Sequence, residues 1–505
     1  MRVEVDVVVV GGGPVGVTAL ALLGKAGLSA IGLEQASDVW PTARAVHFDG
    51  ETFRNLQSLG IADELSKVTI PMTSFHIENE AREVLLELPT GLLGSQGWYD
   101  ANTFHQPDVE RLLRSKLVEF PSVELRNGHK VSSVENVEGG VLVNVEPQDG
   151  SPYSLRARWV IAADGARSEV RQSLGIKRSK LGEDADWLVV DGHLSDSPGL
   201  KSNMIFLGHH TRPALWVRLP GNRVRMEFML MPGDDPNEIV TPEAIERISR
   251  GVLPVGKFKG ERQAIYTFRG RIAEKWRVGN IFLAGDAAHL TPPLFGQGLC
   301  AGIRDVFNIV WKLDFVKRGL ANESLLDTYE SERKKHATEW VEQATNSAKF
   351  LQTTDEEIAA QRDSFLRANP SASAPVVPRM GPGLHEGTSD ERAGIISPQP
   401  VLGDGVHLDD MVGVHFLVAT ERETFEQLSP ELKEALDNDA ETVVLLDPAK
   451  ISQLLNSVGG NSMIIRPDRY ILGVAESSDE LESLIKTIPS VDFHLRAQKG
   501  TSHVI

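Results

Sequence analysis

One cysteine, Cys300, in 505 residues leaves no internal disulfide framework and fits a reducing compartment. No apolar run approaches the ~20 residues that span a bilayer, so membrane insertion is not expected. Positive charge is in deficit, with 52 Lys and Arg against 70 Asp and Glu, and the net charge of -18 argues against a nucleic-acid partner. Arg2, Glu4 and Asp6 interrupt the start of the chain, so no secretory signal peptide is expected. No solenoid-type repeat is found, and no metal site is read from the residues. With 41% hydrophobic residues the chain is expected to be a soluble, cytoplasmic, globular protein of two to four domains.

What the chain does have begins near its start. The apolar run Val7 to Val10 leads into Gly11-Gly12-Gly13-Pro14-Val15-Gly16 and then an Ala/Leu-rich segment ending near Gly27, which reads as strand, tight turn and helix. Gly11, Gly13 and Gly16 have the spacing of a dinucleotide-binding unit. The first permits the turn, the second lets backbone amides approach a pyrophosphate, and the third lets helix and strand pack closely. The helix start adds favourable dipole charge. A second strand, Leu28 to Leu33, ends in Glu34, where a carboxylate can accept hydrogen bonds from an unphosphorylated ribose.

Further along, Pro41 to Phe48 is a loop passing into a helix near Glu51 to Leu59. Arg44 there is either an anion clamp or a solvated helix-start arginine, and spacing does not choose. Phe104 to Asp108 opens an amphipathic helix, with Asp108 as the expected N-cap and Gln106 where an amide can reach a nucleotide. Val123 to Val145 reads as short strands with turns at Asn127-Gly128 and Gly139-Gly140. The strand Trp159 to Ala163 delivers Asp164-Gly165 to the carboxyl edge of a parallel sheet, where ligands bind.

From Trp187 to Tyr266 alternating strands predict a separate, mainly antiparallel sheet, whose Met204, Trp216 and Phe228 are either core or pocket lining. The strand Ile281 to Ala284 then ends in Gly285-Asp286. Pro292-Pro293-Leu294-Phe295-Gly296-Gln297-Gly298-Leu299-Cys300 follows as a nest of backbone amides at a helix start, suited to negative charge. A helical stretch, Leu325 to Leu366, precedes a Pro/Gly/Ser-rich segment, 369–400, read as a linker or surface excursion. The remainder, 401–505, reads as a small α/β domain without cysteine.

The three motifs, Gly11-x-Gly13-x-x-Gly16 with Glu34, Asp164-Gly165, and Gly285-Asp286 with Pro293 and Gly296-Gln297-Gly298, resemble the single-component FAD-dependent aromatic hydroxylases typified by para-hydroxybenzoate hydroxylase. The resemblance covers roughly residues 5–350. Ala43 to Asp49, Phe104 to Asp108 and Pro292 to Asp305 look like the 3-(3-hydroxyphenyl)propionate hydroxylase subgroup, whose members also carry a C-terminal thioredoxin-like domain without active cysteines.

The resemblance implies an α/β fold. A Rossmann-like FAD-binding domain would comprise residues 1–180 and 270–368, an inserted mainly antiparallel β-sheet substrate domain 181–269, and a thioredoxin-like domain 401–505. It implies FAD bound by Gly11, Gly13, Pro14, Val15 and Gly16 at the pyrophosphate and by Glu34 and Gln35 at the ribose, with Arg44, Ala45, Gln106 and Val131 adding contacts. Asp164 and Gly165 would serve FAD and the passing nicotinamide cofactor, and Gly285 and Asp286 the flavin's sugar or ribityl side. Pro293 would sit beside the isoalloxazine ring, with Gly296, Gly298, Leu299 and Cys300 at its pyrimidine end. Cys300, where many relatives have Asn, is read as packing rather than a reactive thiol.

The activity implied is hydroxylation of a small phenolic substrate with O2. NADH or NADPH reduces the flavin, oxygen adds to give a hydroperoxide, and one oxygen atom passes to the ring. A single dinucleotide fingerprint agrees with a nicotinamide cofactor that visits without its own domain. A base near the phenol is expected. His47 is the candidate, its alternative being a structural histidine bonded to backbone. Met204, Trp216, Phe228 and Leu294 are candidate pocket residues, and Arg218 or Arg225 a candidate partner for a substrate carboxylate, as in a hydroxyphenylpropionate-like acid. A homodimer is left open. The rivals are a flavin oxidase or dehydrogenase, separable by product mass, and a non-enzymatic FAD-binding protein; a halogenase is disfavoured because no Trp-x-Trp pair is present.

Overall fold

The valine-rich segment Val5–Val10 forms a strand because β-branched side chains suit a pleated, packed surface. Val7, Val8 and Val9 are wholly buried, as expected of a parallel strand covered on both faces. The strand pairs in parallel with Ala30–Glu34 on one side and Tyr153–Ala162 on the other, and the latter pairs in parallel with Ile281–Leu283. Val10 lies opposite Ala162, and Ala162 opposite Leu283. The three strands therefore end at one level, and the turns that follow emerge side by side. The helices Pro14–Lys25 and Gln297–Lys317 pack against each other beside this edge. This is a computed structural model, describing residues 4–89, 91–195, 203–250, 258–370, 375–385, 390–403 and 405–501.

A second sheet of seven strands runs in the order Phe258–Phe268, Ala185–Leu194, Arg223–Met229, Ala214–Arg218, Met204–Leu207, Ser74–Glu78, Val84–Pro89. All its pairs are antiparallel except Met204–Leu207 with Ser74–Glu78. Two of its strands thus come from residues 74–89, inside the span expected of the nucleotide-binding domain. Nothing local reveals this, because their partner strand lies far along the chain.

The helix Gln106–Lys116 starts three residues earlier than expected: His105 holds the N-cap position and Asp108 lies in the first turn. Asp108 is therefore not the cap; its Oδ2 pairs with His105 Nδ1 at 2.9 Å. The long helical stretch is two helices, Thr328–Leu351 and Glu356–Ala368, the second capped by Asp355, which accepts from Ile358 N. In the C-terminal part the strand order is Thr442–Leu445, Phe416–Thr420, Ser462–Ile465, Ile471–Ala475, with the first pair parallel and the others antiparallel.

Buried charges join this part to the rest. Arg466 donates to both Glu332 oxygens (2.8 and 2.7 Å) and to Asp468, while Lys312 Nζ reaches Glu332 at 2.6 Å. Arg54 pairs with Asp409, and Asp409 with Arg469. The segment expected as a surface excursion is stitched down where described: Ser397 O accepts from Arg54, Gln399 donates to Gln57, and Leu384 N donates to Glu332. Residues 371–374 and 386–389 of that segment lie outside the described residues. Removing one partner strands charge in the interior, so Arg466→Met is expected to lower unfolding stability by about 3–5 kcal/mol. Urea denaturation checks this, and a loss below ~1 kcal/mol contradicts it.

Candidate functional site

The three turns touch backbone to backbone. Gly11 has φ +103°, and a Cβ there would lie 2.4 Å from Ala163 O; a Cβ at Gly16 would lie 2.0 Å from Gly11 O. The Val15 side chain fills the space beside Gly285 and Gly302, where a Cβ would come within 3.2 and 2.6 Å of it. First, second and third motifs are thus one cluster at the carboxyl edge of the sheet, the usual ligand position in such sheets. Gly13 differs from its neighbours: nothing lies within 4 Å of the place its Cβ would take, and its φ of -75° is ordinary. Gly298, at the head of the second helix, also opens on free space.

The acids around this edge have distinct settings. Glu34 Oε2 accepts from Gly12 N at 2.6 Å and Oε1 from Ala36 N at 2.8 Å, which aims the carboxylate at the glycine turn. Asp164 Oδ2 accepts from Val170 N at 3.1 Å, whereas its Oδ1 is buried without a partner. Burial raises the Asp164 carboxyl above the usual range. Asp286 is walled by protein yet open to solvent; burial raises its carboxyl too, opposed by His289, Arg44 and Arg178. Beneath it, Asp305 Oδ2 accepts from Gly285 N at 2.9 Å and pairs with His289 and Arg333.

Two arginines escaped sequence reasoning. Arg178 donates to the carbonyls of Ala166, Asp286 and Ala287, tying the second motif to the third, and burial brings its guanidinium down to about 10. Arg114 Nη2 donates to Gly12 O at 2.8 Å. Neither stands within a motif, so no spacing signal pointed to them.

On the facing loop, Arg44 is exposed, its guanidinium 5.9 Å from the centre of the Trp40 ring. Gln106 holds this loop from behind: its Oε1 accepts from both Arg44 N and Ala45 N at 2.8 Å. Its carbonyl is therefore engaged with backbone. Val131 lies in the main core and Gln35 on the surface. His47 packs with its buried Nδ1 against the Gly296 backbone. Burial pushes the imidazole below its ordinary pKa, with Asp49 opposing, so it is neutral at pH 7. Arg304 bridges Asp49 and Glu51 and donates to Gln297 at 2.9 Å; Tyr470 OH donates to Glu51 at 2.9 Å. Cys300 is fully buried, 3.6 Å from Gly296 O, with its thiol pushed up to about 12, consistent with packing.

The seven-stranded sheet turns one face to this loop. Met204 and Leu294 share an apolar cluster on that face, with Val46, Phe295 and half-buried Pro293 nearby in chain or space. Trp216 and Phe228 are corrections: they belong to the opposite face with Met226 and Leu188, covered by the helix Pro242–Ser249. Alternation along a strand decides this, since one residue of offset reverses the face. Arg218 shares the register of Trp216 and is exposed. Arg225 does lie on the inner face, but it is engaged by Asp191 (2.8 and 2.9 Å), Arg44 O (2.8 Å) and Ala43 O (2.6 Å). Far from the cleft, Glu80, His209 and His210 gather in a group of metal-ligand type. Thr211 N donates to His209 Nδ1, which leaves the proton on Nε2 facing Glu80. That tautomer hydrogen-bonds and does not ligate.

A parallel sheet with glycine turns, acids and helix starts converging at its carboxyl edge, faced by a second sheet with an apolar inner surface, defines a flavin-binding oxidoreductase. The chain belongs to the FAD binding domain family, whose model matches residues 4–344, and it is a FAD-dependent hydroxylase of that family. It is 35% identical over 83% of its length to 3-(3-hydroxy-phenyl)propionate/3-hydroxycinnamic acid hydroxylase 2 of Burkholderia vietnamiensis, covering 79% of that protein. It is 32% identical to a probable NADH-specific resorcinol 4-hydroxylase of Rhodococcus jostii, over 96% of this chain and 95% of the other. Among solved structures, a flavin-dependent monooxygenase in complex with FAD and substrate aligns over 98% of this chain and all of its own, with TM-score 0.82 at 21% identity. The residues present fit FAD: the open cradle at Gly13, the unpartnered Asp164 Oδ1 and the Glu34 carboxylate offer what a pyrophosphate and hydroxyls require.

Gly13→Ala is expected to leave the unfolding temperature of the FAD-free protein within about 2 °C of wild type while weakening FAD affinity at least ~10-fold, because the methyl enters ligand space alone. Gly16→Ala is expected to destabilise the FAD-free protein, because its Cβ meets backbone. Thermal unfolding and FAD titration of both variants check the contrast.

Proposed function

We propose that this protein hydroxylates the ring of a small phenol with O2 and NADH or NADPH, as the relatives' names suggest for them. The observation that carries the reading is the apolar inner face of the second sheet meeting the Pro293–Gly298 loop directly beside the dinucleotide cleft. Bound flavin supplies the activation of O2 by electrons from the nicotinamide. The chain binds and orients: Gly11, Gly13 and Gly16 with the helix start receive the pyrophosphate, and Glu34 a ribose hydroxyl. Asp164, Gly165, Gly285 and Asp286 take the middle of the cofactor, and Pro293, Gly296, Gly298 and Leu299 the ring system. The apolar face excludes water from the reacting ring. His47, neutral and packed against Gly296 at that end, is suited to relay a proton between the site and its surroundings.

The domain reading goes with it: a Rossmann-like FAD domain from 1–180 and 270–368, a substrate domain from 181–269 that borrows strands 74–89, a connector 369–400, and a thioredoxin-like C-terminal domain, supported by its parallel-then-antiparallel strand order. A cytoplasmic location is part of this proposal, in keeping with the single cysteine; no described helix is long and apolar enough to cross a membrane. A homodimer is the assembly to test by sedimentation.

Phenols that stimulate nicotinamide oxidation and gain one oxygen atom from 18O2 support the proposal. Hydrogen peroxide with no gain in product mass would place the protein among oxidases. His47→Ala is expected to slow hydroxylation about 100-fold while FAD stays bound; unaltered turnover removes His47 from the mechanism.

A further inference from the structure

The inner face of the seven-stranded sheet is built in rows. One runs across paired positions Val189, Glu227, Leu215, Phe206, Ile77 and Leu86. Leu215, Phe206, Ile77 and Leu86 all belong to the apolar cluster that contains Leu294 of the flavin-side loop. Glu227 is thus a carboxyl set in an otherwise apolar row of the candidate substrate wall. It is 5% exposed, and no described residue makes a hydrogen bond or ion pair to it. A largely buried carboxyl without a protein partner is costly, and such a group is a candidate for function.

The next row holds Arg262, Asp191, Arg225 and Val217. Its two guanidinium groups are engaged. Arg225 is held by Asp191 and by the carbonyls of Ala43 and Arg44, and Arg262 by Ala43 O (3.2 Å), Asp191 (3.5 Å) and Tyr266 OH. Both charges are spent fastening the sheet to the Ala43–Arg44 loop. The wall therefore presents one unsatisfied group, a hydrogen-bond acceptor, and no unengaged cation in these rows to pair with a carboxylate.

We propose, resting on the hydroxylase reading above, that Glu227 receives the hydroxyl of the substrate and accepts its proton, and that the site takes uncharged hydroxylated rings in preference to phenols bearing a carboxylate. In this step the phenolic O–H bond breaks, its electron pair stays on the ring oxygen, and an O–H bond forms on the Glu227 carboxylate. The proton returns to solvent after product leaves. The resulting phenolate is the more electron-rich ring that oxygen transfer needs.

The electrostatics permit the step at neutral pH. Burial pushes the Glu227 carboxyl up to about 7, with Arg225 opposing and Asp191 adding to the rise. The charged and titratable groups facing it are Arg225 on its own strand, Asp191 on the neighbouring one, and Arg262 and Tyr266 on the outer strand; the remaining neighbour, Ala214–Arg218, presents Leu215 and Val217, and the facing Ala43–Arg44 loop meets this group through its backbone carbonyls. A group with a raised carboxyl is protonated below that pH and can act as base only above it. Turnover should therefore rise with pH through about 7.

The test compares wild type and Glu227→Gln, both loaded with FAD, on resorcinol and on 3-(3-hydroxyphenyl)propionate. Wild type is expected to hydroxylate resorcinol with kcat/KM at least ~10-fold above the propionate, with a limb near pH 7. Glu227→Gln is expected to lose about 100-fold in kcat/KM on resorcinol and to lose that limb. It should keep its FAD and an unfolding temperature at or above wild type, since no partner is stranded. Wild-type turnover and pH limb in the variant, or a wild-type preference for the propionate, overturn this assignment while leaving the hydroxylase reading intact. Absence of oxygenation of any phenol by wild type overturns both. A variant that unfolds or sheds FAD shows Glu227 to be structural and overturns the proposal.

Discussion

At Gly11 the chain leaves its strand with φ +103° and passes so near Ala163 that one added carbon would sit 2.4 Å from the carbonyl oxygen. Every feature of the cleft is referred to that contact. It sets the distance between the first and second turns, and Val15 against Gly285 and Gly302 sets the distance to the third. The register of the parallel strands brings all three turns to one level. Backbone amides, helix starts and the carboxylates of Glu34, Asp164 and Asp286 then converge without any side chain reaching far. A left-handed residue and a sub-van-der-Waals gap both demand glycine, so the motif answers to packing as much as to the ligand.

A chain of buried polar contacts extends from this edge into the C-terminal part. Tyr470 donates to Glu51, Glu51 pairs with Arg304, and Arg304 reaches Gln297 and Asp49 beside His47. Taking charges out of water costs several kcal/mol per ion before pairing. The cysteine-free C-terminal part thus buttresses the start of the helix Gln297–Lys317 through hydrogen bonds.

The second sheet divides its labour between faces. Its outer side, with Trp216, Met226 and Phe228, is ordinary core under a helix. Its inner side meets Leu294 of the Pro293–Gly298 loop and carries Met204, the Arg225–Asp191–Arg262 group and Glu227. Of the two arginines offered as partners for a substrate carboxylate, Arg225 serves instead as a fastener, since carbonyls of Ala43 and Arg44 occupy the donors that a carboxylate would use, and Arg218 is exposed on the side of Trp216.

The glycine turn with its flanking strand and helix, Glu34, Asp164-Gly165, Gly285-Asp286 and the Pro-Pro nest were all legible in the residue order, because each is a local geometry written by neighbours in sequence. Strand alternation in the middle region was legible for the same reason, but which face looks inward was not. Trp216 and Glu227 carry no local mark of their side; that depends on the partner strands and on which sheet face meets the loop. The strands at 74–89, the arginines 114 and 178 and the stitching of 375–403 are likewise long-range pairings, settled by contacts between residues far apart in the chain. Sequence by itself determined the turns at the carboxyl edge of the parallel sheet, since their constraints are satisfied within a few residues. Only the tertiary structure decided the inner face of the second sheet, since burial and pairing across strands choose which side chains line it.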